Sequence, residues 1–403
     1  MTNGSNSGGT AANAGRTAST RHGMILLLAA VMPPMAIISL VPVIPLLMKE
    51  FARLEGFQFL VPIAVTIPAL CVALFSPVAG WLSDRAGRKN LLVFALILYA
   101  AIGVAPFFLT ELKQIIGARI VLGLAEAVIM TIATALIGDY FQGKERERWV
   151  ARQIATVSLS AIFLIAVGGI LGEALGSRGP FLLYVLAIPV AIAVALILFE
   201  PEHTSKSESG GDTKLPLGKI LPLLLTTLFV GIIFYTIIVK LGEVLGLSAD
   251  VSPGQIGAIG AAANVGVAVG SFLFSRFKGF SGPMLVLIGL ILSGAGYLGS
   301  GLSGSLAMTS IAVVIACLGF GILLPTMLTW ILQVLPENVR GRGTGLWTGV
   351  FFFGQFFAPL LAVALQSKLG GLQMVLLLFA GLCAVGVLIS AVKLKGAESL
   401  LTK

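Results

Sequence analysis

Charge is scarce in this chain: 11% of its 403 residues are Asp, Glu, Lys or Arg, against about 25% in soluble domains. So few charges cannot cover a water-soluble fold in which 57% of residues are hydrophobic, and lipid must be the solvent for much of it. Histidine is scarcer still, with only His22 and His203, both in polar segments. No Ser/His/Asp set, P-loop or metal-ligand cluster is present, so the expectation is a non-enzyme without metal or cofactor, powered by an ion gradient. The three cysteines, Cys71, Cys317 and Cys383, lie within apolar runs and offer neither a disulfide framework nor metal-ligand spacing. The formal charge of +9 comes with no basic, aromatic-studded face, which excludes a nucleic-acid partner.

What the chain has in abundance is long apolar runs. A bilayer crossing takes about 20 apolar residues as a helix, and twelve such spans follow one another: about 24–48, 58–82, 91–109, 113–137, 150–174, 181–199, 219–245, 254–275, 284–302, 306–334, 344–367 and 371–392. The class is an all-α integral membrane protein. Residues 1–22, rich in Ser, Gly, Asn and Thr, read as a disordered tail. The longest polar interruption, 200–218, separates a bundle at 23–199 from one at 219–393, and 394–403 form a second tail.

Lysine and arginine orient these spans. Of the 26, 19 fall on the face holding both termini and the 80–89 loop, five on the opposite face, and Arg119 and Lys240 within spans. The positive-inside rule makes the termini and the central linker cytoplasmic, in the inner membrane of the cell. The positive charge is a topology signal.

Between the second and third spans lies Gly80-Trp81-Leu82-Ser83-Asp84-Arg85-Ala86-Gly87-Arg88-Lys89, a short charged hairpin. It resembles the loop between helices two and three of major facilitator superfamily transporters, Gly-x-Leu-x-Asp-Arg-x-Gly-Arg-Lys, and matches at every defining position. The resemblance implies two six-helix pseudo-repeat bundles, alternating access, and a small-molecule substrate bound between the halves. It also implies that Gly80, Asp84, Arg85, Gly87, Arg88 and Lys89 form a cytoplasmic latch. Asp84 would meet the N-terminus of the eleventh helix near Gly343 and Thr344, a carboxylate against a helix dipole, worth about 0.3–2 kcal/mol.

The halves repeat within the sequence. A shift of 191 lays Leu82-x-x-Arg85 on Leu273-x-x-Arg276, with Ser275 in place of Asp84 and Gly279 in place of Arg88. A shift of 194 lays Arg146-Glu147-Arg148 on Arg340-Gly341-Arg342. Two basic loops in corresponding places favour duplication of a six-helix unit, with the substrate site between the copies.

Charges deep in a bilayer are costly and mark function. Two lie in mid-span, Arg119 and Glu126, both in the fourth span. Seven residues apart, they stand about 10 Å from one another along nearly the same helix face. Gly123 lies between them and leaves room for a neighbouring helix, a water or a substrate. A carboxyl held between burial and a nearby cation, and reachable from alternating sides, could load and release a proton. Arg119-x-x-x-Gly123-x-x-x-Ala127 resembles the fourth-helix signature of proton-coupled facilitators, so proton coupling falls to Glu126 and Arg119. The added Glu126 resembles the anion:cation symporter branch. The first span, Met24 to Met48, has no Asp or Glu, unlike many drug:proton antiporters.

The fifth span carries half of an exporter signature. Gly168-Gly169-Ile170-Leu171-Gly172 and Arg178-Gly179-Pro180-Phe181 match, and Leu164-Ile165 stand where the Gly-Pro kink would be. Mid-span polar and aromatic residues give a cavity lining of Thr131, Thr134, Tyr235, Asn264, Thr326, Thr329, Trp330, Gln333 and Gln355. A cavity with its charges on one side suits weakly polar substrates. The expected function is proton-coupled export of small amphipathic compounds by a monomer. Proton-coupled uptake of an organic anion is the first alternative, and a non-transporting sensor the second.

Overall fold

The computed structural model describes residues 18–201, 215–277, 279–336 and 339–394. The tail at 1–17, most of the central linker, the C-terminal tail and the side chain of Asp84 lie outside the described residues.

Every regular element is helical. The first half comprises α1 (Thr20–Ile38), α2 (Ile44–Glu50), α3 (Phe57–Ala86), α4 (Arg88–Val104), α5 (Leu112–Tyr140), α6 (Gly143–Leu175) and α7 (Ala187–Ile197). The second comprises α8 (Leu217–Val239), α9 (Leu241–Gly246), α10 (Pro253–Arg276), α11 (Gly282–Leu302), α12 (Leu306–Val334), α13 (Arg340–Leu369) and α14 (Leu372–Val392). In each half the first crossing is broken, α1 then α2 and α8 then α9, so among the described residues fourteen helices make twelve crossings.

Eleven helical stretches among the described residues are long and apolar enough to cross a membrane. One of them, Gly143–Ile197, is 55 residues long, more than twice what a bilayer needs. It is two crossings. The chain turns at Gly176, where φ is +73°, and runs back through the 3-10 segment Gly176–Leu186 into α7. Long-range hydrogen bonds fix the direction. Arg178 donates to the carbonyls of Pro106 and Leu109 at one end of the bundle, while Tyr140 donates to the Phe199 carbonyl at the other.

Proline explains the break in the first crossing. Pro42 and Pro45 cannot donate backbone hydrogen bonds, and after Ile38 the chain tightens: the Leu40 N–H goes to Ile37 rather than to Ala36. The Ala36 carbonyl is left without a helical donor. In α3, Pro68 likewise leaves the Ala64 carbonyl free, since the missing N–H is the one that would have reached it.

The halves meet along two seams, α3 with α13 and α6 with α10. At the end away from the 80–89 loop the second seam is sealed by backbone contact. A Cβ on Gly169 would lie 2.6 Å from the Pro253 carbonyl oxygen and 2.9 Å from the Gly257 Cα. Glu173 accepts the Gly254 N–H at 2.8 Å, capping α10 from the other half. Pro45 of α2 packs on Gly242 of α9 beside it.

Candidate functional site

The centre of the first half is Arg119 on α5, 1% exposed. Its guanidinium spends its donors on backbone. Nε donates to the Ala64 carbonyl at 2.9 Å, and Nη2 to Ala36 at 2.7 Å and Val65 at 2.9 Å. Nη1 donates to the Tyr184 hydroxyl, which in turn donates to the Ala36 carbonyl at 3.0 Å. The carbonyls freed by Pro68 and by the break after α1 are therefore the ones that the cation occupies. Tyr99 of α4 adds a bond to the Met32 carbonyl. Burying a cation in lipid is tolerable only with such partners.

Glu126, two turns along α5, is 3% exposed, and its Oε1 has no hydrogen-bond partner. No ion pair joins it to Arg119. The room offered by Gly123 is taken by a neighbouring helix: a Cβ there would lie 2.7 Å from both the Pro68 Cα and the Cys71 Cβ of α3. Glu126 is thus a carboxyl without an ion pair, two turns from a cation with four of its five donors engaged elsewhere.

Beyond it lies the α3–α13 seam, where Phe352 packs against Val72, Ala79 and Ala127. An aromatic row continues into the second half: Trp347 stacks on Phe351 at 5.9 Å, and Phe351 meets Tyr235 of α8 at 5.4 Å. Tyr235 packs against the hydrophobic cores of both halves. Gln355, one turn from Phe352 on α13, is buried with an unpartnered Oε1, and half-buried Trp347 has an unpartnered Nε1. Trp347, Phe351 and Phe352 were missed by a reading that looked for isolated polar positions. Their signal was the run Trp347-Thr-Gly-Val-Phe-Phe-Phe.

The other expected lining residues scatter. Thr131 is half-buried, with its methyl toward Gly80 on α3. Thr134 is exposed, bonding back to Met130 and accepting from Gln153 of α6 at 3.1 Å. Asn264 donates to Gly260 of its own helix, and Thr326, fully buried, to Ile322. Thr329 is half-buried and Gln333 exposed. Trp330 turns away from both seams, because its indole lies on Gly282 at the start of α11. It borders hydrophobic clusters built mainly from the second half. That half also holds a buried cation: Lys240, 2% exposed at the α8–α9 break, contacts Glu243 at 2.7 Å, and Gln366 donates to the same carboxylate.

The 80–89 loop is held by the ends of two other crossings. Arg88 pairs with Asp139 at the end of α5. Glu200, just beyond α7, accepts the Arg88 N–H at 2.5 Å and the Lys89 N–H at 2.9 Å, capping α4. Gly87, at φ +86°, makes the turn, and a Cβ there would touch the Glu200 carboxylate. Arg85 lies over the Trp81 ring at 4.2 Å. The expected contact of Asp84 with the eleventh helix lies outside the described residues, and Glu200 is the carboxylate seen capping a helix here.

Two pseudo-equivalent six-crossing bundles, meeting along seams lined by glycine and aromatic rings around an unpaired carboxyl, define a multi-pass membrane transporter. Comparison with known proteins gives the family. The model described as Major Facilitator Superfamily matches residues 26–249 and 223–400, and the chain belongs to that superfamily. Among curated relatives it is 26% identical over 333 residues to Multidrug resistance protein 1 of Bacillus subtilis, covering 80% of this chain and 83% of that protein. It is 27% identical over 186 residues to the class H tetracycline resistance protein of Pasteurella multocida, 46% of each chain. The match to the class B tetracycline resistance protein of Escherichia coli is 26% over 214 residues, 51% of this chain and 53% of that protein. The chain thus spans about half the length of these tetracycline resistance proteins. In fold it is similar to a bacterial homologue of the human lysosomal transporter Spinster in an inward-facing, occupied conformation. The TM-score is 0.76 at 17% identity, over 93% of this chain and 97% of that one.

Proposed function

We propose that this protein exports small amphipathic compounds across the inner membrane in exchange for protons, as a monomer working by alternating access, with both termini cytoplasmic. The observation that carries the reading is the unpartnered Oε1 of Glu126. A buried carboxyl with an unmet oxygen is costly unless a proton, water or ligand visits it. Its neighbour Ala127 packs at the α3–α13 seam, where the halves must separate. The aromatic row of Tyr235, Phe351 and Trp347 offers flat apolar surface with a few polar atoms, which suits amphipathic ring systems. Relatives named for tetracycline and multidrug resistance support the same direction of transport.

Organic-anion uptake with Arg119 as the anion's ligand is disfavoured by geometry. The guanidinium makes four hydrogen bonds within the protein and is 1% exposed, so binding a carboxylate would first require breaking that knot. In the exporter, Arg119 holds α1, α3 and α5 together and supplies positive potential to Glu126. The seal at Gly169, Glu173 and Gly254 is the gate at the outer end, and the Arg88, Asp139 and Glu200 cluster braces the inner one.

The test is accumulation of a fluorescent lipophilic cation in an efflux-deficient bacterium expressing wild type, Glu126→Gln or empty vector, with and without a protonophore. Lower accumulation with wild type alone, abolished by the protonophore, is the expected result. Accumulation equal to that with vector, with the protein present in the membrane, overturns the export reading.

A further inference from the structure

One sizeable cavity lies within a single half rather than between the two. It is a groove of about 840 Å³ within the second half, bounded by α8, α11, α12 and α14. That volume is within the roughly 300–1,000 Å³ range of small-molecule sites. Its walls are apolar, with Leu225 and Phe229 of α8, Val286 of α11 and Val385 of α14 among them, and Trp330 on its α12 side. The exposed side chains of Leu221, Leu225, Val385 and Ile389 put its mouth on the lipid-facing surface.

The pseudo-repeat shows that this opening is particular to the second half. The corresponding helices of the first half, α1 and α7, pack together, and His22 at the start of α1 meets Phe199 beyond α7 at 5.3 Å. In the second half the groove separates α8 from α14. Its rim is basic. Lys219 in the first turn of α8 and Lys393 at the C-terminus of α14 are both exposed, and neither forms an ion pair among the described residues. Both belong to the end of the bundle that carries the 80–89 loop.

We propose that this groove is a binding site for an anionic phospholipid of the inner leaflet, with acyl chain along the α8–α14 gap and phosphate between Lys219 and Lys393. The charge complementarity is that of a polybasic membrane surface, focused on two lysines that flank an apolar slot. Trp330, amphipathic and within the slot below the headgroup level, suits contact with the glycerol backbone. The site rests on the membrane orientation proposed above, but its occupancy involves no transport step.

Native mass spectrometry of the purified full chain, titrated with phosphatidylglycerol or phosphatidylcholine in mixed micelles, reads the site directly. Expected is preferential retention of phosphatidylglycerol. Each lysine contributes about fivefold, so the affinity of Lys219→Ala/Lys393→Ala falls by about 25-fold while phosphatidylcholine binding is unchanged. Val385→Trp, which fills the slot and leaves both lysines, removes the tightly held lipid of either kind. Equal retention of the two lipids by wild type, or phosphatidylglycerol binding that survives the double substitution, overturns the proposal. Displacement of the lipid by a lipophilic cation, insensitive to the lysines, would assign the groove to transported compounds instead. Because binding is measured without a gradient, a failed transport assay leaves this result standing, and the reverse also holds.

Discussion

The Arg119 knot makes a quantitative prediction about how proline and arginine depend on one another. Arg119→Met removes every donor while keeping most of the apolar stem. Four hydrogen bonds to a charged donor are lost, each worth about 1.5–3 kcal/mol, and the Ala64 carbonyl, unserved by its own helix, becomes a buried unmet acceptor. Since Tyr184 still serves Ala36 and neighbouring terms are not additive, the net loss is on the order of 4–6 kcal/mol. Pro68→Ala restores the backbone N–H that Ala64 lacks. In that background Arg119→Met is expected to cost about 1–3 kcal/mol less, which is the penalty of one buried unmet carbonyl. The assay is a double-mutant cycle on reversible unfolding in mixed micelles with increasing SDS, followed by tryptophan fluorescence. Coupling below about 0.5 kcal/mol, the usual additivity error, would refute the idea that the arginine replaces the proline's missing donor.

Three further outcomes follow from other contacts. Gly123→Ala places a methyl 2.7 Å from α3 backbone and is expected to cost about 1–3 kcal/mol as overpacking. Gly117→Ala on the same helix meets nothing within 4 Å and should gain up to about 1 kcal/mol from helix propensity; the pair is compared by the same unfolding assay. Glu200→Ala uncaps α4 at Arg88 and Lys89, and hydrogen exchange at those amides should quicken roughly 5–30-fold, equivalent to about 1–2 kcal/mol. Gly169→Leu wedges the α6–α10 seal; a cysteine placed at Val43 should then label faster from outside, and labelling at the wild-type rate would show that the seal lies elsewhere.

Most of the architecture was legible because lipid leaves a chain few options. A crossing must be a continuous apolar run with its backbone satisfied internally, so the spans stood out even where the helices broke. Arg119 and Glu126 were legible for the same reason, since a charge in such a run has no ordinary explanation. What stayed hidden depended on how helices rotate and pack. The position of Pro68 implied an orphan carbonyl at Ala64, but which side chain would reach it, or the Ala36 carbonyl at the break, was set by partners 55 and 83 residues away. Gly123 was compatible with a water, a ligand or a helix, and only the approach of α3 decided among them. Trp330 was expected in the cavity lining as a mid-span aromatic residue of α12. Depth along a helix does not say which neighbour a side chain faces, and this one meets α11.

The break in the first crossing has a mechanical consequence. The Ala36 carbonyl left open at the break is held by Tyr184 and Arg119, and the Met32 carbonyl one turn earlier by Tyr99, from three other crossings. The joint in this crossing is thereby splinted, so under the alternating-access reading proposed above α1, α3, α4 and α5 should turn together rather than flex one by one. Spin labels on α1 and α5 should keep a constant separation through a transport cycle. Labels on α2 and α9, which meet where Pro45 rests on Gly242, should report the whole stroke.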